Sequence, residues 1–242
     1  IFQGISIDRE YLSKVARETL QLNLPILYPQ KVLSFGFIPR RSFFRFYKLK
    51  KELKKLVLEL IKKSFLTNKP ENNLVTCLAN AYGFSDYESL TTEMREHLYS
   101  ETLTFIAAGH ESTAATLARI SVMLSQYPEI AKKLCDEVKT VLNGRYPTYD
   151  DVEKLVYTRA VALETLRLWP PSRASVREAV SDDVINGLEV KKGDIIIAPI
   201  GAAHRDPKYW PNPEGFNPER FLEPLSDEHQ WLYMPFLHGD RK

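Results

Sequence analysis

Cysteine is scarce in this sequence, which contains only two among its 242 residues. Cys77 and Cys135 lie far apart and follow no recognisable spacing motif, so the fold is not a disulfide framework. Two such thiols indicate a reducing compartment, and we expect both to be free and buried. With 44% apolar residues, the chain is long enough to build a sizeable core without disulfides or a structural metal.

Long hydrophobic runs are also missing. No segment approaches the ~20 consecutive apolar residues that a membrane-spanning helix needs, and no signal peptide is recognisable. A formal net charge of +2 gives no reason to expect nucleic-acid binding across the surface, so we expect no nucleic-acid partner. Internal repeats and low-complexity tracts are absent, which excludes repeat architectures and long biased linkers.

Helical periodicity dominates the chain as far as residue 168. We predict helices over residues 7–23, 48–66, 86–126, 128–142 and 158–168. Prolines and a glycine interrupt the pattern within residues 24–47. Pro128 favours the start of a helix, because proline is tolerated in the first helical turn. Residues 148–151 resemble a capping box that opens a short helix, and Pro170 and Pro171 end the last long one.

After Pro171 the periodicity changes to that of strands. We predict strands over residues 175–180 and 195–200, with a turn near Asn186 and Gly187. From His204 onward, many prolines and scattered aromatic residues predict an ordered but irregular segment. The expected fold is therefore mainly α with a small β-sheet.

One predicted helix, over residues 48–66, is strongly amphipathic, with leucines on one face. The opposite face is basic and carries Lys48, Lys50, Lys51, Lys54, Lys55, Lys62 and Lys63. A solvated helix surface is one interpretation of this charge. The other combines it with the phenylalanine-rich residues 35–46 as a surface that contacts an anionic membrane.

Small residues cluster in the middle of the longest predicted helix, at residues 107–115 (AAGHESTAA). Gly109 costs about 1 kcal/mol relative to alanine there, so a packing or functional reason is expected. Glu111 and Ser112 stand in what we expect to be apolar surroundings, where an unpaired polar group is costly. These residues alone leave two interpretations open: a close helix–helix contact with Glu111 in solvent, or a face that a flat cofactor approaches.

Glu164 and Arg167 are three residues apart on a predicted helix and can form an ion pair. Most such pairs are surface salt bridges worth less than about 1 kcal/mol. This Glu-x-x-Arg is, however, the only one in the chain, and it directly precedes the sequence Leu-Trp-Pro-Pro. The pair is therefore a candidate structural element.

Four segments follow one another in a recognisable order. They are residues 108–113 (AGHEST), 164–167 (ETLR), 216–221 (FNPERF) and 234–242 (MPFLHGDRK). The last matches the pattern Phe-x-x-Gly-x-Arg-x-Cys up to the residue before the cysteine. In this combination the segments resemble the cytochrome P450 family of haem-thiolate monooxygenases, so the resemblance implies the C-terminal half of that fold.

The resemblance implies a proton-delivery role for the small-residue helix. Haem would lie against Ala108 and Gly109, while Glu111 and Ser112 would relay protons from water to dioxygen. The family pattern usually has threonine where this chain has Ser112. Serine keeps the hydroxyl but lacks the methyl group that restricts the threonine rotamer. Thr113, the next residue, is the alternative alcohol.

The resemblance also implies two roles for arginine. Arg220 would join Glu164 and Arg167 in a structural ionic triad. Arg177 and Arg241 would bind the carboxylates of haem, because the planar guanidinium binds carboxylate through two hydrogen bonds. An ordinary strand arginine is the alternative for Arg177, and the role of Arg241 depends wholly on the family register.

No residue of this sequence is predicted to ligate the iron, because the expected cysteine would follow Lys242. Neither Cys77 nor Cys135 is preceded by Phe-x-x-Gly-x-Arg. His204 and His238 are interpreted as structural histidines whose hydrogen bonds are satisfied. We therefore expect a fragment of a longer protein that is inactive alone, with any membrane anchor upstream.

The predicted function is that of a monooxygenase fragment, one partial domain over residues 1–242. The complete enzyme would insert one oxygen atom of O₂ into an apolar small molecule, with haem (iron protoporphyrin IX) as cofactor and a reductase as electron donor. With an upstream anchor, it would lie on the cytosolic face of the endoplasmic reticulum membrane. The alternative is a non-catalytic helical protein, derived from the family, that binds a membrane or a partner through residues 35–63.

Overall fold

The computed structural model describes residues 14–15, 40–66 and 73–238. The chain divides into two compact units, Ile1–His110 and Glu111–Lys242. The helix predicted over residues 7–23 lies outside the described residues, except for Lys14 and Val15, which are helical. Among the described helices, none is both long enough and apolar enough to cross a membrane.

The first unit contains helices α1 (Arg40–Phe65), α2 (Leu74–Ala81) and the start of α3 (Thr92–Gln126). Helix α1 begins before the predicted residue 48, since neither proline nor glycine interrupts the chain after Pro39. The short helix α2 was not predicted, because an apolar run of eight residues is too short to distinguish a helix from a buried strand by periodicity. Helix α3 begins later than the predicted residue 86, where the Thr91 hydroxyl accepts the Met94 N–H at 3.1 Å.

The core of the first unit forms around the leucine face of α1. Leu53 and Leu60 are 3% and 1% exposed, and the buried set continues through Val57, Ile61, Val75, Ala79, Leu90 and Leu98. Burying one such side chain contributes roughly 1.5–3 kcal/mol. The predicted amphipathic helix is thus confirmed, and its apolar face holds this unit together.

The second unit begins with the remainder of α3, followed by α4 (Pro128–Leu142), a 3₁₀ helix (Tyr149–Lys154) and α5 (Val156–Leu168). Helix α4 has the predicted bounds and ends where Asn143 adopts a left-handed φ of 47°. The predicted cap at residues 148–151 also forms, since the Thr148 N–H and hydroxyl both donate to Asp151 at 2.8 Å. Helix α5 begins slightly earlier than predicted and ends before Pro170 and Pro171.

Four short strands in the described part of the chain make two antiparallel pairs. Strand β1 (Ser175–Glu178) pairs with β4 (Ile195–Ala198), and β2 (Asp183–Ile185) pairs with β3 (Leu188–Val190). The predicted turn joins β2 to β3, where Asn186 and Gly187 have φ of 49° and 82°. Two left-handed residues are what a tight hairpin turn requires. The mainly helical fold with small sheets is confirmed, although the sheets are two rather than one.

The segment after β4 is ordered and mostly irregular, as predicted, but contains three short helical elements. These are α6 (Ile200–Ala203), a 3₁₀ helix (Pro218–Phe221) and α7 (Asp227–Leu232). Phe216 from this segment joins the core of the second unit with Met123, Ile130, Val161 and Leu168. The meander, defined as residues 204–238, therefore packs against α5.

The prediction that both cysteines are buried was wrong. Cys77 on α2 and Cys135 on α4 form no disulfide bond, and both are exposed. Their helices are buried through other residues, Val75 and Ala79 in α2 and Ile130 in α4. Within the described ranges, no three side chains of His, Cys, Asp or Glu are grouped in a way that could hold a metal ion.

Candidate functional site

Two residues one helical turn apart on α5 form a fully buried ion pair. Glu164 and Arg167 are both 0% exposed, and Arg167 donates from Nε and Nη2 to the two carboxylate oxygens at 2.7 and 2.8 Å. This is the two-point geometry that a planar guanidinium favours. Because removing two charges from water is costly, such a pair stabilises only when its remaining hydrogen-bonding groups are also satisfied.

Arg167 satisfies its other donors on the backbone of the meander. Nη1 donates to the carbonyls of His204 and Pro213, both at 2.8 Å. Nη2 donates to the carbonyl of Gly215 at 3.1 Å. With the two bonds to Glu164, all five N–H donors of the guanidinium are used. One side chain on α5 thereby fixes three points of an otherwise irregular segment.

The structure brings Arg220 to the same carboxylate. Its Nε lies 3.5 Å from Oε1 of Glu164, and the same oxygen accepts the Asn217 N–H at 2.9 Å. Arg220 also donates from Nη2 to the carbonyls of Pro211 and Asn212. Its buried Nε has no hydrogen-bond partner among the described residues, so its link to Glu164 is an ion pair rather than a hydrogen bond. Glu164, Arg167 and Arg220 are thus a cluster of two cations around one anion.

His204, which had no role in the prediction beyond a structural histidine, lies at the centre of this network. It is 0% exposed, and its Nδ1 lies 3.1 Å from the carbonyl of Arg167. Its Nε2 accepts the backbone N–H of Met234 at 2.9 Å. Burial lowers the pKa of His204 to about 4, with the charges of Arg167 and Arg205 acting in the same direction. The imidazole is therefore neutral near pH 7.

Tyr233, which is half-buried, adjoins this buried polar cluster. Its hydroxyl donates to the carbonyl of Leu163 at 2.9 Å, and its ring stacks on His204 with centroids 5.4 Å apart. Burial raises the pKa of Tyr233 well above its usual value, and the negative charge of Glu164 adds to the effect. The phenol therefore stays protonated and keeps its donor. Nothing in the sequence pattern indicated this residue.

The small-residue face of α3 is exposed at Ala108 and Gly109. A Cβ added at Gly109 would meet nothing within 4 Å among the described residues. The first interpretation of this glycine was close helix–helix packing. No described helix packs closely against Gly109. None of the described residues fills the space beside Gly109.

The acid and the two hydroxyls of the same helix differ in exposure. Glu111 and Thr113 are exposed, whereas Ser112 is half-buried. The apolar surroundings expected for Glu111 are not formed by the described residues. Ser112 also participates in the helix through its carbonyl, which accepts the Thr116 hydroxyl at 2.9 Å. Successive residues are about 100° apart around a helix, so Ser112 and Thr113 point in different directions.

Arg177 lies on β1 and is exposed. Its Nη1 donates to the Ser175 hydroxyl at 2.8 Å and to the Val176 carbonyl at 2.9 Å. No carboxylate of the described residues pairs with it, so its guanidinium is available to an external carboxylate. Arg241, its predicted partner in this role, lies outside the described residues.

The basic face of α1 is exposed and partly paired. Lys54 contacts Glu96 at 2.6 Å, and Lys63 contacts Glu59 at 2.9 Å. Such pairs are typical of a solvated helix surface, the first of the two interpretations of this face. Residues 35–39, which the membrane interpretation also requires, lie outside the described residues.

Comparison with known proteins identifies the relatives of this chain. The family described as Cytochrome P450 matches residues 9–242. Cytochrome P450 3A15 of Cavia porcellus is 36% identical over 213 residues, which are 87% of this chain and 41% of that protein. Cyclooctat-9-en-7-ol 5-monooxygenase of Streptomyces melanosporofaciens is 30% identical over 237 residues, which are 94% of this chain and 50% of that protein.

A solved structure supports the same relationship. The haem domain of cytochrome P450DA superposes with a TM-score of 0.69 at 26% sequence identity, covering 93% of this chain and 47% of that one. The resemblance of the fold to this family is therefore confirmed. The chain spans about half the length of the curated relatives it matches.

Proposed function

The chain belongs to the cytochrome P450 family, and from that premise we propose that it carries the proton-delivery helix and the ionic scaffold of a haem-thiolate monooxygenase. The family and the haem-domain neighbour imply haem as the cofactor. The observation that carries the proposal is the cluster of Glu164, Arg167 and Arg220. In this cluster, α5 holds the meander that leads toward the predicted cysteine.

Two features, each described within its own unit, support haem binding. On α3, a Cβ added at Gly109 would meet no described residue within 4 Å, and on β1, Arg177 has no carboxylate partner among the described residues. We propose that Arg177, with Arg241, binds the haem carboxylates. When bound, haem supplies the chemistry of oxygen activation, for which a thiolate ligand favours O–O cleavage.

For proton delivery we propose that the Glu111 carboxyl passes a proton through the Ser112 hydroxyl. The exposure of Glu111 supports the first step, because a carboxylate that reaches water can reload with protons. The half-buried position of Ser112 supports the second step, since this residue is less exposed to bulk water than Glu111. Positioned proton transfer of this kind commonly contributes about 10²–10⁴-fold in rate.

The reaction we propose for the complete gene product inserts one oxygen atom of O₂ into an apolar organic substrate, with electrons from a reductase. The Streptomyces relative, by its name, oxidises cyclooctat-9-en-7-ol, an apolar alcohol, which supports this substrate class. We also propose that, with an upstream anchor, the protein acts on the cytosolic face of the endoplasmic reticulum membrane. The exposed lysines of α1 support contact with an anionic surface there.

Neither cysteine of this sequence serves as the thiolate ligand in this proposal. Cys77 and Cys135 are exposed on α2 and α4, and neither follows the Phe-x-x-Gly-x-Arg lead. A protein consisting of residues 1–242 alone is therefore expected to be inactive as a haem-thiolate enzyme.

Isotope labelling tests the proposed reaction. The complete gene product is supplied with haem, a reductase and NADPH under ¹⁸O₂, with a panel of apolar terpenoids and steroids that includes cyclooctat-9-en-7-ol. The expected product carries one ¹⁸O atom and forms only when reductant is present. Product labelled from ¹⁸O-water instead, or formed equally without reductant, would contradict the proposal.

A further inference from the structure

The two hydrogen bonds of His204 determine which ring nitrogen carries its proton. The Met234 N–H is a backbone donor, so Nε2, 2.9 Å away, must be the unprotonated acceptor. The Arg167 carbonyl can only accept, so Nδ1, 3.1 Å away, must carry the hydrogen. The geometry thus fixes a neutral imidazole protonated at Nδ1.

The sequence explains why α5 needs this donor. In an α-helix, each carbonyl accepts the N–H of the residue four positions later. For Arg167 that residue is Pro171, which has no N–H. The carbonyl of Arg167 is therefore left without a helical partner in a fully buried place, and His204 supplies the missing hydrogen bond.

The other ring nitrogen, Nε2, binds the segment that leads to the predicted cysteine. Met234 opens the pattern Met-Pro-Phe-Leu-His that leads to the predicted cysteine. Pro235 has no N–H, so the N–H of Met234 is the last backbone donor before Phe236. We propose that His204 is a positioning residue for the haem thiolate: by accepting the Met234 N–H, it ties the start of the cysteine lead to the end of α5. This inference rests on the proposed function.

The surroundings of His204 favour the neutral form on which this link depends. Burial is the main cause of the low pKa of His204, the hydrogen bond to the Arg167 carbonyl acts in the opposite direction, and the charges of Arg167 and Arg205 lower the pKa further. Tyr233, stacked on the ring, remains uncharged because burial raises its pKa. A protonated imidazole would direct an Nε2 hydrogen at the Met234 N–H and break the link.

Two substitutions separate the two hydrogen bonds. In His204→Gln, the side-chain oxygen can take the position of Nε2 and still accept from Met234, whereas the bond to Arg167 is lost. In His204→Asn, the shorter amide can take the position of Nδ1 and still donate to Arg167, whereas the bond to Met234 is lost. Each variant removes one buried hydrogen bond and should destabilise the fold by a similar amount.

The readout is the ferrous–carbon monoxide spectrum of the complete gene product loaded with haem, in which thiolate ligation shifts the Soret band to the red. We expect His204→Gln to keep the wild-type fraction of thiolate-ligated haem. His204→Asn should lower the ratio of thiolate-ligated to other haem by roughly tenfold, the equilibrium factor that one buried hydrogen bond is worth. Thermal melting of both variants provides the control for global stability.

Each outcome has a distinct meaning. Equal thiolate fractions in the two variants, at equal melting temperatures, would reduce His204 to a structural residue and overturn the inference. A lower thiolate-ligated fraction in His204→Gln, with the wild-type fraction retained in His204→Asn, would also overturn the inference. That result would assign the effect to the hydrogen bond with Arg167. A wild-type protein that binds haem without the thiolate band would contradict the proposed function itself.

Discussion

Arg167 and His204 each donate a hydrogen bond to the main-chain carbonyl of the other. The guanidinium Nη1 of Arg167 lies 2.8 Å from the His204 carbonyl, and Nδ1 of His204 lies 3.1 Å from the Arg167 carbonyl. Both side chains are fully buried. The exchange joins the end of α5 to the start of the meander, so removing either side chain leaves a buried carbonyl of its neighbour with one donor fewer.

Replacing Arg167 tests whether the ionic cluster supports the fold. In the complete gene product, Arg167→Ala should abolish haem retention or folding, because removing one partner of a buried pair typically costs about 3–5 kcal/mol. Haem content and thermal melting measure the effect. Lys191→Ala is the control, since Lys191 pairs at 3.2 Å with Asp182, both side chains are mostly exposed, and the loss should cost under about 1 kcal/mol. Melting of Arg167→Ala at the control temperature would indicate that the cluster is dispensable.

The depressed pKa of His204 predicts a pH dependence of stability. The unfolded histidine binds a proton near its ordinary pKa of about 6.5, whereas the folded one resists protonation down to about 4. Its contribution is therefore complete above pH ~6.5 and is lost as the pH falls toward 4, up to about 3 kcal/mol in total. Urea unfolding of the wild type and of His204→Gln at several pH values gives the free energy of unfolding of each protein. The difference between the two pH profiles is the contribution of His204. If the free energies of unfolding of the two proteins changed in parallel with pH, His204 would not be the source of the pH dependence.

Much of the architecture could be predicted from sequence because it depends on local signals. Pro128 and Asn143 set the ends of α4, and the hairpin follows from Asn186 and Gly187. Helix α2 could not be predicted in this way, because eight mostly apolar residues are too few for periodicity to distinguish a helix from a buried strand. The exposure of Cys77 was mispredicted, because thiol burial depends on which helix face meets the core.

In the candidate site as well, local contacts could be predicted from sequence, whereas contacts between distant residues could not. Glu164 and Arg167 are neighbours on one helix turn, so their pairing follows from spacing alone. The contacts of His204 with Arg167 and Met234 join residues 37 and 30 positions apart, and no local pattern specifies such distances. The one available signal was the absence of an N–H at Pro171, which leaves a buried carbonyl in need of a donor.

Two adjacent hydroxyls compete for the proton-delivery role. In the complete gene product, Ser112→Ala should retain the haem spectrum but lose coupling, so that more reductant is consumed per oxygenated product. The effect on the proton-dependent step should reach about 10²-fold or more if the hydroxyl is the relay. Thr113→Ala should be milder, because Thr113 lies about 100° away around α3. Loss of coupling only in Thr113→Ala would reassign the alcohol, and no loss in either would remove the relay from this helix.

The ferrous–carbon monoxide spectrum tests the central claim, haem-thiolate chemistry organised by this fold, most directly. It is measured on the complete gene product, on its Cys77→Ser/Cys135→Ser variant and on a protein consisting of residues 1–242 alone. The account predicts the red-shifted thiolate Soret band in the first two proteins and its absence from the third. A thiolate band from residues 1–242 alone, its loss in the double variant, or its absence from the complete gene product would contradict the account.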